Sequence, residues 1–392
     1  MTILFFSVFA NVCHQSEAGQ LLEDQGRGRK INRAVIRGIA LLYDWEFEAA
    51  EDLFQKVIAE KPGDPIGYFY SAMVTYSRIA SGFWTSENVR TYENRIDKAI
   101  SVARIQIRNQ KADSFTYFYL GGALGFEGRV RLMERKWVSS FFLAVEAIEA
   151  LRTCLEMDPL NRDVLFGLGI FDYYTARLSG VLKFLSYLLL HEGNRKEGLR
   201  KLHIAATEAT YSSIEAKSLL IHIYLFLEKG EQSYQKALPL AEDLSMRFRK
   251  NPRYYYLRGL TYIRLGANEN YRGMVDLLCL KEKNARSNKM ALIWCNRVAY
   301  LEAAYFLFNE KYQKARDKLD LILSRADPVN DPAMIAWPLL KKGMICDIEE
   351  KRATALGYYK RIMEMDNGAG AQFLAQKYRD NPAKKGDPFL GY

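Results

Sequence analysis

The feature that most constrains this chain is a pattern of small residues, bulky residues and a closing proline that recurs at about 34 residues. Its clearest copy runs from Asn32 to Pro62, with small residues at Gly38 and Ala50 and a bulky residue at Phe54. Small residues let two helices cross closely, bulky residues fill the layer between helix pairs, and proline ends a helix. The pattern therefore predicts repeated helical hairpins rather than sheets.

The other copies of the pattern are less regular. In the second copy about fourteen extra residues, 125–138, separate the two helices, which indicates either a long connection or extended helices. In the third copy the helices are separated by the apolar segment 178–190. The residues that mark the later copies are Gly121, Ala147, Leu151 and Pro159; Gly169, Gly198 and Leu202; Ala237, Ala241 and Pro252; Tyr255 and Gly259; Ala303, Ala315, Leu319 and Pro328; and Gly343, Ala355 and Tyr359.

This spacing resembles the tetratricopeptide repeat (TPR) family, in which small residues stand at positions 8 and 20, a bulky residue at 24 and proline at 32 of each unit. The resemblance implies an all-α fold, a right-handed α-solenoid of about six to seven degenerate TPR hairpins with two insertions. The stretch from Asp163 to Leu199 is also similar to uncharacterised bacterial TPR proteins, which implies no particular activity. We expect a candidate signal peptide at 1–18, a TPR-like solenoid at 19–376 and a flexible carboxyl-terminal tail at 377–392.

The amino terminus favours export. The apolar run from Ile3 to Val12 is too short to span a bilayer but fits the core of a signal peptide. Ser16 and Ala18 supply the small residues of a cleavage site, although the usual positive charges before the apolar run are missing. We predict a periplasmic or cell-envelope protein; the alternative is a cytoplasmic protein with an apolar first helix.

The net charge of +10 is scattered along the chain. The two densest basic stretches, 27–37 and 129–136, lack the interleaved aromatics of a single-stranded nucleic-acid platform. We therefore expect no nucleic-acid partner and interpret these charges as solvated helix faces, with weak contact to an anionic membrane as the alternative. The five cysteines have no metal-site or redox spacing.

No motif of a catalytic, metal or nucleotide site is present. The four histidines at 14, 191, 203 and 222 form no ligand spacing, and no nucleophile elbow or phosphate-binding loop occurs. We predict a protein that is not an enzyme and carries no cofactor or metal. An envelope enzyme built on helical hairpins is the less favoured alternative, and it would need facing ionisable groups in a deep pocket.

The TPR resemblance implies a concave groove for a protein or peptide partner, lined by fixed positions of the first helix of each unit. Aromatics recur at position 5 and arginine occurs twice at position 2, which are typical anchor residues. A second interpretation is that the solenoid curls tightly, or that the insertions fold back, so that these side chains are core. The residues predicted to bind a partner are Phe118, Phe166, Tyr173, Arg253, Tyr256, Arg297 and Tyr300.

These features together favour a non-enzymatic scaffold or adaptor. Its alternative is a peripheral membrane or lipid-associated helical-repeat protein. The apolar segment 178–190 enters that alternative as a candidate interfacial helix, but its single cation and small polar face favour packing inside the array.

Overall fold

A computed structural model of the protein describes residues 32–177, 193–228, 230–366 and 368–387, and within these ranges it contains helices and no strand. The predicted all-α class is thus confirmed. A π-helical stretch, Ile223–Leu227, continues the ninth helix. The helices are α1 (32–43), α2 (Phe47–Glu60), α3 (Pro65–Ala80), α4 (Ser86–Arg108), α5 (Ser114–Met133), α6 (Trp137–Met157), α7 (Val164–Thr175), α8 (Arg195–Glu208), α9 (Ser213–His222), α10 (Glu231–Arg247), α11 (Pro252–Arg264), α12 (Asn268–Lys283), α13 (Asn288–Phe308), α14 (Tyr312–Leu323), α15 (Ala333–Ile348), α16 (Arg352–Met363) and α17 (Ala371–Asp380).

Helix starts follow from local side chains. Asp64 accepts a hydrogen bond from the Ile66 backbone N–H at 3.0 Å, with Pro65 as the first helical residue of α3. Asn251 and Pro252 begin α11 in the same way. A side-chain acceptor satisfies one of the free N–H groups of the first turn, and proline has no N–H to satisfy there.

The described helices pack in the order of the chain. From α2 onward, each described helix packs against the next one along the chain. The odd-numbered helices also contact one another, α3 with α5, α5 with α7, α7 with α9, α11 with α13, and α15 with α17. In each of these five pairs the two odd-numbered helices thus contact each other and also the even-numbered helix between them.

Close crossings occur at the glycines that the pattern singles out. A Cβ atom at any of four glycines would lie within 3.0 Å of an atom of the following helix, so no larger residue fits without movement. The pairs are Gly38 with Phe54, Gly121 with Leu151, Gly169 with Gly198, and Gly343 with Tyr359. Gly259 differs, because its close neighbour is Leu301 of α13 rather than a residue of α12.

The first insertion lengthens two helices. Residues 125–138 extend α5 and α6, which are joined by three residues only. The insertion therefore forms extended helices and not a long connection. The second insertion, 178–190, and the candidate signal peptide, 1–18, lie outside the described residues. The sequence pattern also missed a hairpin, since α3 and α4 pair with each other between the first two copies.

The last described residues pack against the preceding helices. Helix α17 runs to Asp380, and Tyr378 and Ala383 are buried. The buried carboxylate of Asp347 accepts hydrogen bonds from the Ala383 backbone N–H at 2.9 Å and from the Tyr359 hydroxyl at 2.7 Å. This contact fixes the segment after α17 against α15 and α16.

The amino-terminal helices also contact helices some 200 residues further along the chain. The Lys250 backbone N–H donates to Asp44 at 2.8 Å, the Asn251 amide donates to the Tyr43 carbonyl at 2.8 Å, and Lys250 forms an ion pair with Glu46. These contacts join the end of α1 to the turn between α10 and α11. The amino-terminal helices α1–α5 and the helices from α9 onward, which we call the two parts of the array, are therefore in direct contact.

Among the described helices, none is both long enough and apolar enough to cross a membrane.

Candidate functional site

The structure places the seven predicted groove residues in or beside the core. Partner binding at these positions stays a prediction, but in the isolated chain most of these side chains are covered by the protein itself. Phe166 and Arg253 are half-buried. The buried members of the set are Phe118, Tyr173, Tyr256, Arg297 and Tyr300.

The buried aromatic members contact other side chains of the protein. The rings of Tyr256 and Tyr300 lie 5.6 Å apart between α11 and α13. The Tyr173 hydroxyl donates to the Glu228 carboxylate at 2.7 Å, and that carboxylate also binds Arg195. Substituting Tyr256 and Tyr300 would thus disturb core packing before it tested any groove.

Arg297 is a structural cation. Its side chain is 1% exposed and forms an ion pair with Asp331 at 3.4 Å. It also donates to the Ser81 carbonyl at 3.4 Å, which connects α13 to the end of α3. Burial raises the pKa of Asp331, and the nearby Arg297 opposes that rise. Each charge depends on the other, because an unpaired ion in such a site is costly.

Arg253 lies at the edge of a cavity of about 170 Å³ between the two parts of the array. The cavity is bounded by α3, α5, α11 and α15, by His222 at the end of α9, and by two connecting segments. None of its described lining residues is acidic. They are Tyr76, Ile79, Ala80, Gly82, Trp84, Arg129, Val130, Met133, His222, Arg253, Trp337 and Ala369.

His222 and Arg253 hold each other in place. The Arg253 guanidinium donates to His222 Nε2 at 3.2 Å and to the Ala80 carbonyl at 3.5 Å. His222 Nδ1 lies 2.8 Å from the Ser218 carbonyl, so the hydrogen bonds assign the proton to Nδ1 and the lone pair to Nε2. Burial, followed by the charge of Arg253, lowers the pKa of His222 to about 3. The imidazole is therefore neutral at physiological pH.

Arg129 supplies a second guanidinium to this cavity. Within the described residues it forms no hydrogen bond and no ion pair. Tyr76 raises the pKa of Arg129, while burial among the surrounding protein atoms opposes that rise. Its side chain is nevertheless exposed. Arg129 is thus surrounded by protein atoms and still reaches solvent, as expected for a side chain at the wall of a cavity that water can enter.

The basic stretch 129–136 is split by the fold. Arg131 pairs with Glu93 at 2.9 Å on the side of α5 that faces α4. Arg129 instead faces the cavity, and Arg135 lies in the turn before α6. No sequence pattern distinguishes Arg129 from its neighbours, because its surroundings in the cavity include the distant residues His222, Arg253 and Trp337.

A second cavity, of about 160 Å³, is lined by Lys341 and Arg264. Burial, followed by the charge of Arg264, lowers the pKa of the Lys341 amine to about 7. Its two acidic lining residues are already engaged: Glu310 pairs with Lys385 at 2.8 Å, and Asp387 accepts from the Lys384 backbone N–H at 2.8 Å. We assign Lys341 no catalytic role.

Glu215 on α9 gives a prediction about pH. Burial raises the pKa of its carboxyl to about 8, so between about pH 4.5 and pH 8 the folded protein holds a proton that the unfolded chain releases. The free energy of unfolding should therefore fall as pH rises through this window, by up to about 1.4 kcal/mol per pH unit from this group. In urea unfolding, Glu215→Gln should match the wild type near pH 5 and exceed it near pH 8. A constant difference between the two proteins across the window would contradict the assignment.

An apolar stripe covers the first turns of α6. Trp137, Val138 and Phe142 are exposed by 49%, 72% and 60%, and their spacing places them on one side of the helix. We call these three residues the α6 stripe. Large apolar groups that cluster on a surface in this way mark a contact site more often than scattered ones do.

The described residues contain no cluster of three or more histidine, cysteine, aspartate or glutamate side chains placed to hold a metal ion. The four described cysteines are free thiols, at positions 154, 279, 295 and 346. Compared with known proteins, the sequence matches no family profile and no curated protein.

Proposed function

We propose that this protein is a non-enzymatic scaffold of the TPR type, an α-solenoid that binds a protein partner in the bacterial cell envelope. The observation that carries the proposal is the set of close crossings at Gly38, Gly121, Gly169 and Gly343. Each of these glycines stands at the small-residue position of its unit and meets a residue at position 20 or 24 of the following helix. That match between spacing and contact supports the TPR assignment. The envelope location rests on the leader-like residues 3–18.

The α6 stripe is the surface that we propose for the partner. The aromatic side chains of the predicted groove pack mostly in the core, whereas Trp137, Val138 and Phe142 reach solvent. Arg135 is exposed beside them. A partner segment with apolar anchors and an acidic flank fits this combination, because aromatic anchors supply most of the affinity and a rim charge sets orientation.

Affinity capture with paired baits tests this proposal. The wild type is compared with a Val138→Asp, Phe142→Asp bait and with a Leu160→Asp bait, since Leu160 is 77% exposed but lies beyond the other end of α6. A partner retained by the wild type and by Leu160→Asp but lost from the stripe variant supports the proposal. Binding of the purified partner to each bait then gives the affinity. Equal affinity for all three baits would reject the stripe as the binding surface.

A lipid-associated function is the alternative that the same stripe favours. A tryptophan beside an exposed arginine is also typical of contact with an anionic membrane. Flotation with anionic vesicles at rising salt separates the two functions. Binding that weakens with salt and is lost in the Val138→Asp, Phe142→Asp variant would favour the membrane, and an absence of flotation would reject it.

A further inference from the structure

We propose that the cavity between the two parts of the array binds a small organic carboxylate, with its charge directed to Arg129 and Arg253 and its apolar body against Trp84 and Trp337. This inference stands apart from the proposed partner binding, because the α6 stripe is a different surface.

The lining of the cavity carries positive charge and no described negative charge. Two guanidinium groups line the cavity, none of its described lining residues is acidic, and His222 is fixed as a neutral acceptor for Arg253. Arg129 has no hydrogen bond or ion pair within the described part of the chain, so its donors are available. An anion beside Arg129 would offset a charge that no described residue pairs with. Guanidinium groups bind carboxylates in short, charge-assisted hydrogen bonds.

The walls of the cavity are largely aromatic and apolar. The residues that line the cavity include three aromatic ones, Trp84, Trp337 and Tyr76, and three aliphatic or thioether ones, Ile79, Val130 and Met133. A fully polar ion such as phosphate would leave this surface against water. A ligand with one anionic group and an apolar ring or branched chain matches both the charged and the apolar residues of the lining. Small-molecule sites commonly combine apolar walls with a few polar groups in this way.

The volume of the cavity limits the size of the ligand. A cavity of about 150 Å³ in another protein accommodates benzene, and this cavity has about 170 Å³. The space therefore fits one six-membered ring with a short carboxylate. Longer chains would extend beyond it.

The site is arranged for binding rather than reaction. Both ring nitrogens of His222 are engaged, Nδ1 with the Ser218 carbonyl and Nε2 with Arg253. No cysteine, serine or lysine is among the described residues that line the cavity. Its arginines remain charged and donate hydrogen bonds only.

Calorimetric titration and thermal unfolding of the full chain test the inference, with phenylacetate as the probe. Neutral phenylacetamide, which has the same shape, and inorganic phosphate serve as comparisons. We expect saturable binding of phenylacetate and a rise in Tm that grows with its concentration. Phenylacetamide should bind at least about tenfold more weakly, since it lacks the charge-assisted hydrogen bonds. Phosphate should bind more weakly as well, because it leaves the aromatic walls without a partner.

Two variants locate the site. Arg129→Gln should weaken phenylacetate binding at least about tenfold, because it removes one of the two guanidinium groups. Without ligand its Tm should equal or exceed that of the wild type, since a like charge beside Arg253 is removed. Arg108→Gln removes the same charge from the exposed end of α4 and should bind phenylacetate as the wild type does.

Four results would overturn the inference. They are no saturable binding of phenylacetate, equal binding of phenylacetamide, binding of phosphate as tight as that of phenylacetate, and unchanged phenylacetate affinity in Arg129→Gln. A lower Tm of ligand-free Arg129→Gln would be a fifth contrary result, because it would show that Arg129 has a structural partner and that its donors are not available. Loss of partner capture by the stripe variant has no bearing on any of these outcomes.

Discussion

Replacing Gly198 with valine is expected to lower the free energy of unfolding by about 3 kcal/mol or more. A Cβ atom at Gly198 would lie 2.6 Å from the Tyr173 backbone nitrogen and 2.9 Å from the Gly169 carbonyl oxygen. These are backbone atoms, so no side-chain rotation relieves the overlap, and α7 and α8 must separate. Urea unfolding followed by circular dichroism measures the change.

The matched control is Gly357→Ala. Gly357 lies inside α16, and a Cβ atom there would meet nothing within 4 Å. Alanine should therefore stabilise the protein by roughly 0.5–1 kcal/mol through its higher helix propensity. If Gly198→Val unfolded at the wild-type urea concentration, α7 and α8 would not cross as closely as the structure shows.

Replacing Arg297 with methionine is expected to lower the free energy of unfolding by about 3–5 kcal/mol. The substitution keeps much of the apolar volume but leaves the carboxylate of Asp331, which is 6% exposed as a residue, without its cation. It also removes a donor from the Ser81 carbonyl, which lies on the opposite part of the array. Urea unfolding of the purified variant gives the value.

Two further variants separate charge from packing at this site. Adding Asp331→Asn to the Arg297→Met protein should recover part of the lost stability, because the buried carboxylate is then neutral. Arg108→Met, on the exposed end of α4, should change the free energy of unfolding by no more than about 0.5 kcal/mol. An Arg297→Met protein as stable as Arg108→Met would mean that Arg297 is not buried in an ion pair.

The sequence was informative about local pairing of helices. Gly38, Ala50 and Phe54 lie within a stretch of about twenty residues, so their spacing alone shows where two neighbouring helices must cross. The same spacing marked Gly121, Gly169 and Gly343 correctly. It missed α3 and α4, whose residues do not follow the pattern, although Asp64 and Pro65 signal the start of α3.

The packing of helices that are distant in sequence could not be predicted, because it depends on contacts over long sequence separations. Arg253, Tyr256, Arg297 and Tyr300 follow the pattern of a groove lining equally well whether the interior is open or closed. The choice depends on the contacts of Ser81 and Ala80 with α13 and α11, which no repeat period encodes. Arg129 became a candidate site residue for the same reason, because its surroundings come from α3, α9, α11, α15 and two connecting segments.

Zero-length carbodiimide cross-linking tests most directly whether the amino-terminal helices close onto the middle of the chain, because it joins only amines and carboxylates in contact. The local pair Lys318 and Glu302, 2.6 Å apart, is the positive control. If the array closes as described, mass spectrometry of the monomer fraction will find Lys250 joined to Glu46, and Lys250→Gln will abolish that product. Recovery of the Lys318–Glu302 product without the Lys250–Glu46 product would show that the interior is open and would contradict the enclosed cavity.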